Sequence, residues 1–328
     1  MAQIAPTSIL GKAVGPNGYG LMGFTRSWAP VEYPTAIKVM KAALEQGATF
    51  WNGALFYGTP TANSLHLVKH YFEQYPEDTE KVTLSIKGAL NPATYNPECN
   101  PESIRASVNE ALRILDGVKK IDIFECARVD PNVPIETSIG TLAEFVREGK
   151  IGGIGISEAS AKTIGRAHAV HPIAAAEIEL SLFTTDALGN GVVEACRELK
   201  IPIIAYSPLG RGFLTGQFRK HSDIPEGDMR HKLPRFKPEN FDNNVKLVEA
   251  VGAIARSKGV TVAQVAIAWV RAQGAIPIPG ATTEGRVAEN FADVRLTDVE
   301  LEEIQKVLDG FVVQGERYGG RFEKQLNL

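Results

Sequence analysis

Two side chains capable of acid–base chemistry follow the ends of neighbouring apolar runs. Lys87 closes one run, and Tyr57 lies a few residues beyond the end of the run before it. A phenol titrates near pH ~10, and a nearby ammonium lowers that pKa because it favours the phenolate. Together the two side chains suggest a Tyr–Lys proton donor. The alternative, which spacing alone favours, is a loop tyrosine and a lysine whose stem lies along apolar surface.

Alternating strand and helix patterns must position these side chains. Eight short apolar runs are predicted as strands: residues 18–22, 48–52, 82–87, 121–126, 151–157, 173–179, 201–206 and 275–278. Segments with helical periodicity lie between them, among them 35–46, 101–115 and 243–255. Asn100 is expected to cap the helix at 101–115, with Pro101 at its first position, and Gly47 to end the helix at 35–46.

Strand and helix alternate about eight times with no run of consecutive strands, which is typical of a parallel sheet covered on both faces. Eight units over roughly 270 residues favour closure into a (β/α)8 TIM barrel, and we expect one domain over residues 1–328. In such a barrel, function lies at the carboxyl ends of the strands. Residues 210–241 break the rhythm, and we expect this loop and the tail 311–328 to lie at that catalytic face.

Composition and charge exclude several classes of protein. The 35 Lys+Arg and 38 Asp+Glu residues give a formal charge of −3, which provides no reason to expect nucleic acid or an anionic membrane as a partner. Cys99, Cys126 and Cys196 suit neither a disulfide framework nor a CxxC metal site, and their odd number indicates a reducing compartment. With no apolar stretch of about 18 residues and no secretory signal pattern, we expect a cytoplasmic protein. The pattern predicts no oligomeric state.

Motifs at these strand ends occur in a characteristic order. They are Gly18-Tyr19-Gly20-Leu21-Met22-Gly23, Tyr57-Gly58, Lys87, Gly155-Ile156-Ser157, the run 205–214, and Ile278-Pro279-Gly280 followed by Arg286, Glu289 and Asn290. In this set and order the chain resembles the aldo-keto reductases, NADPH-dependent (α/β)8-barrel enzymes that reduce carbonyl groups, over nearly its whole length. Residues 50–52, 124–131 and 171–174 are most similar to the fungal pyridoxal-reductase branch.

The resemblance implies a catalytic group that is altered in this chain. Tyr57 would be the general acid that protonates the carbonyl oxygen as hydride arrives, and Lys87 would lower its pKa. The family has an Asp where this chain has Asn52. An amide can accept a hydrogen bond from Lys87 but adds no negative charge, so we expect Lys87 to act on Tyr57 as an unneutralised cation.

The substrate is expected beside this catalytic group. The family has a His where this chain has Ala127, and the lost side chain leaves room for a bulkier or more polar substrate. Arg128, just past the strand end, or Glu125, two residues back on the same face, would partly replace it. The aromatic candidates for the pocket wall, each of which could equally belong to the core, are Phe24, Trp28, Trp51, Phe56 and Tyr318. Trp28 is the first choice, because it lies in the loop after the first strand.

The resemblance also implies an NADPH site along the strand ends. Tyr206 would lie against the nicotinamide, Ser157 would donate to its carboxamide, and Glu177, with Glu158, would accept from the NH2 group. The alternative for Glu158 is to cap the next helix. The other positions with a family match are Gly20, Met22, Ser207, Leu209, Arg211, Gly280, Thr282, Thr283, Arg286, Glu289 and Asn290.

Arg286 is the candidate for the adenosine 2′-phosphate, because a guanidinium binds phosphate bidentately. Thr282 and Thr283, at the start of a short helix, would add hydroxyl and backbone donors. Ser207, Leu209 and Arg211 match the pyrophosphate loop, and Glu289 and Asn290 match adenine contacts. Without the family match, Arg286 and Glu289 would be interpreted as solvated helix charges.

Two functions remain open from the sequence. The first is an NADPH-dependent carbonyl reductase acting on an aldehyde or ketone, with pyridoxal, giving pyridoxine, as the first substrate to try. The second is a nicotinamide-binding regulatory or scaffold protein with little turnover, which the changes at Asn52 and Ala127 favour. A barrel aldolase or isomerase would need Lys87 as a Schiff base, and the cofactor motifs argue against it. The histidines lack a third ligand at metal spacing, so no metal site is expected.

Overall fold

A barrel of eight parallel strands lies at the centre of the computed structural model, which describes residues 8–328. The strands are β1 Tyr19–Gly20, β2 Phe50–Ala54, β3 Thr83–Gly88, β4 Ile121–Cys126, β5 Ile151–Ser157, β6 Ile173–Glu179, β7 Ile203–Tyr206 and β8 Ala275–Pro277. The first and last strands meet where the Gly18 amide donates to the Pro277 carbonyl at 2.9 Å and the Gly20 amide to the Pro279 carbonyl at 3.3 Å. The predicted α/β TIM barrel is confirmed.

Helices cover the outside of the barrel. They are α1 Tyr33–Glu45, α2 Ser64–Gln74, α3 Pro101–Leu115, α4 Ile135–Arg147, α5 Ala161–Val170, α6 Val192–Glu198, α7 Pro238–Lys258, α8 Val262–Ala272, α9 Glu284–Phe291, α10 Asp298–Asp309 and α11 Gly320–Glu323. The predicted cap of α3 is confirmed, because the Asn100 side chain accepts from the Ser103 amide at 3.0 Å. Gly47, just past the end of α1, has φ +87°, a conformation that favours glycine.

Strand β2 begins two residues later than predicted. The Ala48 amide donates back to the Ala43 carbonyl at 3.0 Å and the Thr49 amide to the Gly47 carbonyl at 2.9 Å, so both residues finish the end of α1. Strand β1 is also shorter than predicted, and Met22 lies in the short 3-10 turn Met22–Phe24 that follows it. Neither change alters which face of a strand carries the candidate residues.

The interior of the barrel has an apolar floor with a polar layer above it. The floor is formed by Ile9, Val14, Phe50, Ile123, Ala175, Ile204, Ile276 and Ile278. Ile9 belongs to an N-terminal hairpin of Ser8–Ile9 with Lys12–Ala13, and Val14 directly follows that hairpin. Side chains alternate along a strand, so the residue two positions further points to the same side. This rule places Asn52, Glu125, Glu177 and Tyr206 above the floor, toward the carboxyl ends of the strands.

Two segments cover the carboxyl ends of the strands, as expected. The loop after β7 contains the 3-10 turns Gly210–Thr215, His221–Asp223, Met229–Lys232 and Pro234–Phe236. It is shorter than the predicted 210–241, because α7 already begins at Pro238, and proline suits the first position of a helix. Buried Phe213 packs against Phe183, with ring centres 4.9 Å apart. The C-terminal tail also reaches this face, where the Leu328 carbonyl accepts from the Ser160 amide at 2.9 Å. Within residues 8–328, no helix is both long enough and apolar enough to span a membrane.

Candidate active site

Lys87, the penultimate residue of β3, is buried at the centre of the polar layer. Its Nζ donates to Asn52 Oδ1 at 2.5 Å and to Glu177 Oε1 at 2.7 Å, and Asn52 Nδ2 donates to Glu177 Oε2 at 2.6 Å. Burial lowers the pKa of Lys87, but the nearby charge of Glu177 raises it, and the net direction is upward. Lys87 is therefore an ammonium ion, not the neutral amine that a Schiff base would require.

Glu177 supplies the negative charge that Asn52 lacks. The expectation that Lys87 acts as an unneutralised cation is therefore wrong. The two Glu177 oxygens accept hydrogen bonds from Lys87 and Asn52. The sequence analysis had assigned Glu177 to the nicotinamide carboxamide. The structure corrects this and assigns the carboxylate to the lysine. The sequence could not show this contact, because β3 and β6 meet only across the closed barrel.

Tyr57 lies half-buried in the loop after β2, above Lys87. The Lys87 Nζ is 5.3 Å from the centre of the Tyr57 ring. The Tyr57 carbonyl accepts from the Thr25 hydroxyl at 2.7 Å and from the Ser64 amide at 3.1 Å, which fixes the loop. Gly58 has φ +120°, and an added Cβ would lie 2.3 Å from the Ala62 carbonyl oxygen, so glycine is required next to the tyrosine.

The pKa of Tyr57 lies above the ordinary value for a phenol. Burial raises it, the Lys87 ammonium lowers it, and the Glu177 carboxylate raises it again. Lys87 lowers the pKa of Tyr57 as expected, but burial outweighs this effect and Glu177 opposes it, so the net shift is upward. The phenol is protonated at neutral pH, as a proton donor must be.

Glu125 adds a second carboxyl group beside Lys87. It is buried, its Oε1 is 4.0 Å from Lys87 Nζ, and this oxygen has no hydrogen-bond partner among the described residues. Gly155 on β5 makes room for it, since an added Cβ there would lie 2.9 Å from Glu125 Oε2. Burial and the charge of Glu177 raise the pKa of Glu125 well above its usual range, which favours its uncharged form.

Two tail residues complete the site: Arg317, which the sequence analysis missed, and Tyr318, which it named as a pocket-wall candidate. Arg317 is buried, and its Nη2 donates to Glu158 Oε1 at 2.9 Å, to Glu179 Oε2 at 2.8 Å and to Tyr206 Oη at 3.0 Å. Tyr318 Oη lies 3.0 Å from Tyr206 Oη. One feature of the sequence could have indicated a missing cation: Glu177 and Glu179 are two inward-facing carboxylates on one buried strand, and each requires a positively charged partner. The pattern does not reveal where those cations come from.

The residues expected at the substrate pocket lie at the same face. Ala127 is buried, and its amide donates to the Gly88 carbonyl at 3.0 Å. Arg128 Nη1 donates to the Ala127 carbonyl at 2.9 Å, and its Nη2 donates to Tyr318 Oη at 3.3 Å. Trp28, in the loop after β1, is 49% exposed, so it borders any pocket from the solvent side.

Two buried polar atoms fit the carboxamide of a nicotinamide. Ser157 Oγ and Glu158 Oε2 have no hydrogen-bond partner within residues 8–328, and they offer a donor and an acceptor beside Tyr206. Glu158 does not cap the next helix, because the N-cap of α5 is Ser160. Glu158 has φ +51°, a strained conformation that is typical of functional sites.

Several residues in the loop after β7, where the sequence predicts the pyrophosphate, have left-handed backbone conformations. Ser207, Gly210 and Arg211 have φ of +50°, +53° and +57°. The Gly210 amide donates to the Ser207 carbonyl at 2.9 Å and the Gly212 amide to the Leu209 carbonyl at 3.0 Å, which fixes the turn. Leu209 is buried and begins the first 3-10 turn. The Arg211 guanidinium faces the tail, 4.3 Å from the centre of the Tyr318 ring and 3.9 Å from Glu179 Oε2.

Two arginines lie at the adenosine end of the proposed cofactor site. Arg286 lies in the first turn of α9, which is capped by the Thr283 hydroxyl. Arg26, in the loop after β1, has a buried Nε with no hydrogen-bond partner among the described residues, and a Cβ added at Gly23 would lie 3.3 Å from Arg26 Nη2 and 3.1 Å from Thr282 Cγ2. Burial and the charges of Arg230 and Arg286 lower the pKa of Arg26, while Asp228, which pairs with Arg230 at 2.6 Å, opposes that shift. The sequence analysis missed Arg26, because it lies in a loop without periodicity.

The remaining predicted cofactor positions lie at the junction of β1 with β8 and along α9. Gly20 permits this junction, because an added Cβ would lie 2.9 Å from the Ile278 carbonyl oxygen. Met22 is 38% exposed. Asn290 is buried, and its Nδ2 donates to the Gly280 carbonyl at 3.5 Å. Thr282 and Glu289 are half-buried nearby. Residues 8–328 contain no group of three or more His, Cys, Asp or Glu side chains that could hold a metal.

A model of the aldo/keto reductase family matches residues 18–309. The chain belongs to this family. It is 42% identical to the probable pyridoxal reductase 2 of Schizosaccharomyces pombe over 97% of this chain and 98% of that protein. It is 37% identical to the putative pyridoxal reductase of Saccharomyces cerevisiae over 92% of this chain and 95% of that protein. A glycerol dehydrogenase from Gluconobacter oxydans, 23% identical, has the same fold over 96% of this chain and 98% of that one, with a TM-score of 0.82.

Membership in the aldo/keto reductase family makes this chain an oxidoreductase that acts on carbonyl groups. The expected resemblance to this family and to its fungal pyridoxal-reductase branch is thus confirmed. Within this aldo/keto reductase the carboxylate partner of the lysine lies on β6 at Glu177, and β2 contributes an amide, Asn52.

Proposed function

We propose that this aldo/keto reductase reduces aldehydes or ketones to alcohols with NADPH, and that Tyr57 is the general acid. The observation that carries the proposal is the stack of a protonated phenol over a buried ammonium, with 5.3 Å between the Tyr57 ring centre and Lys87 Nζ. When bound, the dihydronicotinamide supplies a hydride to the carbonyl carbon. Tyr57 gives its proton to the carbonyl oxygen, and the alcohol leaves.

Lys87 stabilises the phenolate that Tyr57 becomes in this step. Its ammonium is buried, so its field at the phenol is only weakly screened. Glu177 and Asn52 hold the ammonium by hydrogen bonds and prevent it from moving toward solvent. Water then returns a proton to Tyr57, and the cycle is complete.

Polar atoms at the strand ends support the cofactor part of the proposal. Ser157 Oγ and Glu158 Oε2 would hold the nicotinamide carboxamide, and Tyr206 would lie against the ring. The convergence of Arg26 and Arg286 favours a cofactor that carries an additional phosphate, as NADPH does. A relative from Schizosaccharomyces pombe that is 37% identical over 95% of this chain is named aldo-keto reductase yakc [NADP(+)].

Pyridoxal is the substrate that we propose first. Two relatives are named as pyridoxal reductases, at 42% and 37% identity over nearly their whole length. Ala127 stands where the family has a His, and the smaller side chain would suit a substrate with a substituted ring. Cys99, Cys126 and Cys196 are free thiols, which agrees with the cytosolic location that we propose.

A regulatory role without turnover has less support from the geometry. That role was suggested by two departures from the family, Asn52 in place of Asp and Ala127 in place of His. Glu177 compensates for the first, because its carboxylate supplies the negative charge beside Lys87. Only the space at Ala127 remains as a departure, and it is compatible with catalysis on a larger substrate.

Tyr57→Phe tests the proposal. NADPH oxidation is followed with pyridoxal and a panel of aldehydes, and NADPH binding is followed by its fluorescence. We expect the variant to lose roughly 10²-fold or more in kcat, because general acids contribute about that much, and to bind NADPH normally. Tyr75→Phe, a change at a tyrosine that ends α2 at the opposite end of the barrel, is the matched control.

Near-normal turnover in Tyr57→Phe would show that another group donates the proton. Tight NADPH binding by the unmodified protein with no oxidation by any aldehyde would favour the regulatory role.

A further inference from the structure

The guanidinium of Arg128 lies at the catalytic face and forms no direct ion pair with a carboxylate of the described residues. Its hydrogen bonds go to the Ala127 carbonyl at 2.9 Å and to Tyr318 Oη at 3.3 Å, and within residues 8–328 no carboxylate oxygen is within 4.0 Å of it. Arg317, by contrast, forms ion pairs with both Glu158 and Glu179. A guanidinium has five N–H donors, so Arg128 retains donors for a further anion.

The C-terminal tail holds this guanidinium in place. Arg128 lies 5.6 Å from the centre of the Tyr318 ring, and Tyr318 is itself bonded to Tyr206. The amides of Tyr318 and Gly319 donate to Glu323 Oε2 at 2.8 and 3.2 Å, so the tail is fixed by its own turn. An arginine with few remaining rotamers loses little entropy when it binds a ligand.

Arg128 also lies close to the reacting position. It follows Ala127, whose amide bonds the Gly88 carbonyl, one residue beyond Lys87. Tyr206, Tyr318, Glu158 and Tyr57 each raise the pKa of Arg128, which places its guanidinium among the polar side chains of the site. A carbonyl that accepts a proton from Tyr57 would therefore present its adjacent substituents to Arg128.

We propose that Arg128 binds an anionic oxygen of the substrate and makes the enzyme selective for aldehydes that carry an ionised oxygen close to the carbonyl group. This inference rests on the proposed function, which it makes more specific. Pyridoxal belongs to this class, because its ring carries an ionisable 3-oxygen beside the aldehyde. Pyridoxal 5′-phosphate carries the same oxygen and a phosphate on the other side of the aldehyde, so the two sources of negative charge can be separated.

Selectivity between matched aldehydes tests the proposal. The pairs are pyridoxal with pyridine-4-carbaldehyde, and 2-carboxybenzaldehyde with benzaldehyde. The quantity is the ratio of kcat/KM for the anionic member to that for the uncharged member, in the unmodified enzyme, Arg128→Gln and Arg128→Lys. Arg105→Gln, which removes an exposed arginine paired with Glu144 on the outer helices, is the control.

We expect the unmodified enzyme to prefer the anionic member by about tenfold or more, since a charge-assisted hydrogen bond provides that much discrimination. Arg128→Gln should remove the preference through KM, and Arg128→Lys should retain part of it. The Arg105→Gln ratio should equal that of the unmodified enzyme. Comparison of pyridoxal with pyridoxal 5′-phosphate shows which anionic group Arg128 binds. If the enzyme prefers the phosphate ester and Arg128→Gln removes that preference, Arg128 binds the phosphate and not the 3-oxygen.

Equal loss on both members of each pair, or an unchanged ratio in Arg128→Gln, would overturn the proposal. Binding of pyridoxine by calorimetry in the presence of NADP gives a readout without turnover, and Arg128→Gln should weaken it about tenfold. If no aldehyde is reduced but pyridoxine binding depends on Arg128, the proposed function fails and the anion site stands. If aldehydes are reduced without any dependence on Arg128, the proposed function stands and the anion site fails.

Discussion

Lys87 and Glu177 form an ion pair across the barrel, with 2.7 Å between Nζ and Oε1 and both side chains buried. The lysine belongs to β3 and the carboxylate to β6, three strands away around the barrel. Asn52, on β2, bridges them, with its carbonyl oxygen facing the lysine and its amide facing the carboxylate. Since positions 52 and 177 both contact the ammonium, the geometry permits the negative charge to lie on either.

The first prediction is that the charge can be exchanged between these two positions. Asn52→Asp adds a second carboxylate beside Glu177, and Glu177→Gln leaves Lys87 buried without a charged partner, so each change alone should lower kcat by about tenfold or more. The double variant Asn52→Asp/Glu177→Gln restores one carboxylate and one amide around the lysine. It should recover activity to within about threefold of the unmodified enzyme, a strong coupling for residues in contact.

Thermal unfolding of the four proteins separates catalysis from stability in this cycle. Glu136→Gln, which breaks an exposed pair with Arg166, serves as the control and should leave kcat unchanged. Additive losses in the double variant would mean that Glu177 does not replace a carboxylate at position 52.

The second prediction concerns the pH dependence of reduction. Burial raises the pKa of Tyr57 more than Lys87 lowers it, so the protonated donor persists at and above pH ~10. With NADPH saturating, kcat should not fall between pH 7 and about pH 10. Glu177→Gln removes a charge that raises the pKa of Tyr57, so the alkaline decline of kcat in this variant should move to lower pH. An upward shift in this variant would contradict the assignment.

The third prediction concerns Glu125, whose pKa is raised by burial and by the charge of Glu177. A raised pKa in the folded state means that the stabilising contribution is complete below the unfolded value of about 4.5 and is lost as the pH rises through the folded value. Each unit of the shift costs about 1.4 kcal/mol once both states are ionised. Glu125→Gln mimics the uncharged form, so its Tm relative to the unmodified protein should rise between pH 5 and pH 8. A difference in Tm that does not change with pH would show that Glu125 is ionised in the folded protein.

The fourth prediction concerns Arg286 and the choice of cofactor. Arg286→Gln should raise the Kd for NADPH by about tenfold or more and leave that for NADH nearly unchanged, because only NADPH has a phosphate on the adenosine ribose. Fluorescence titration with both cofactors measures the two values. Arg295→Gln, on an exposed arginine in the loop after α9, is the control. Equal weakening of both cofactors would mean that Arg286 does not recognise the phosphate.

Local pattern was sufficient to predict the barrel and the positions of Tyr57 and Lys87. Strands β4, β5 and β6 and helix α3 have the predicted bounds, since strong periodicity and a clear cap set them. Contacts between distant strands and with the tail were not predictable. The roles of Glu177 and Arg317 depend on which side chains meet inside the closed barrel, and sequence spacing carries no information about that.

The fifth prediction is that Arg317 fastens the C-terminal tail to the active site. Its guanidinium bridges Glu158 and Glu179, and removal of one partner of a buried pair leaves the other charges uncompensated, at a cost of about 3–5 kcal/mol. Arg317→Met should therefore lower Tm and speed tryptic cleavage at Lys324, while Arg321→Met, at an exposed neighbour that donates only to the Thr94 carbonyl, should do neither. Because Arg317 also contacts Tyr206, its loss should weaken cofactor binding as well. Unchanged proteolysis in Arg317→Met would show that the remaining tail contacts, such as that of Leu328 with Ser160, suffice to hold it.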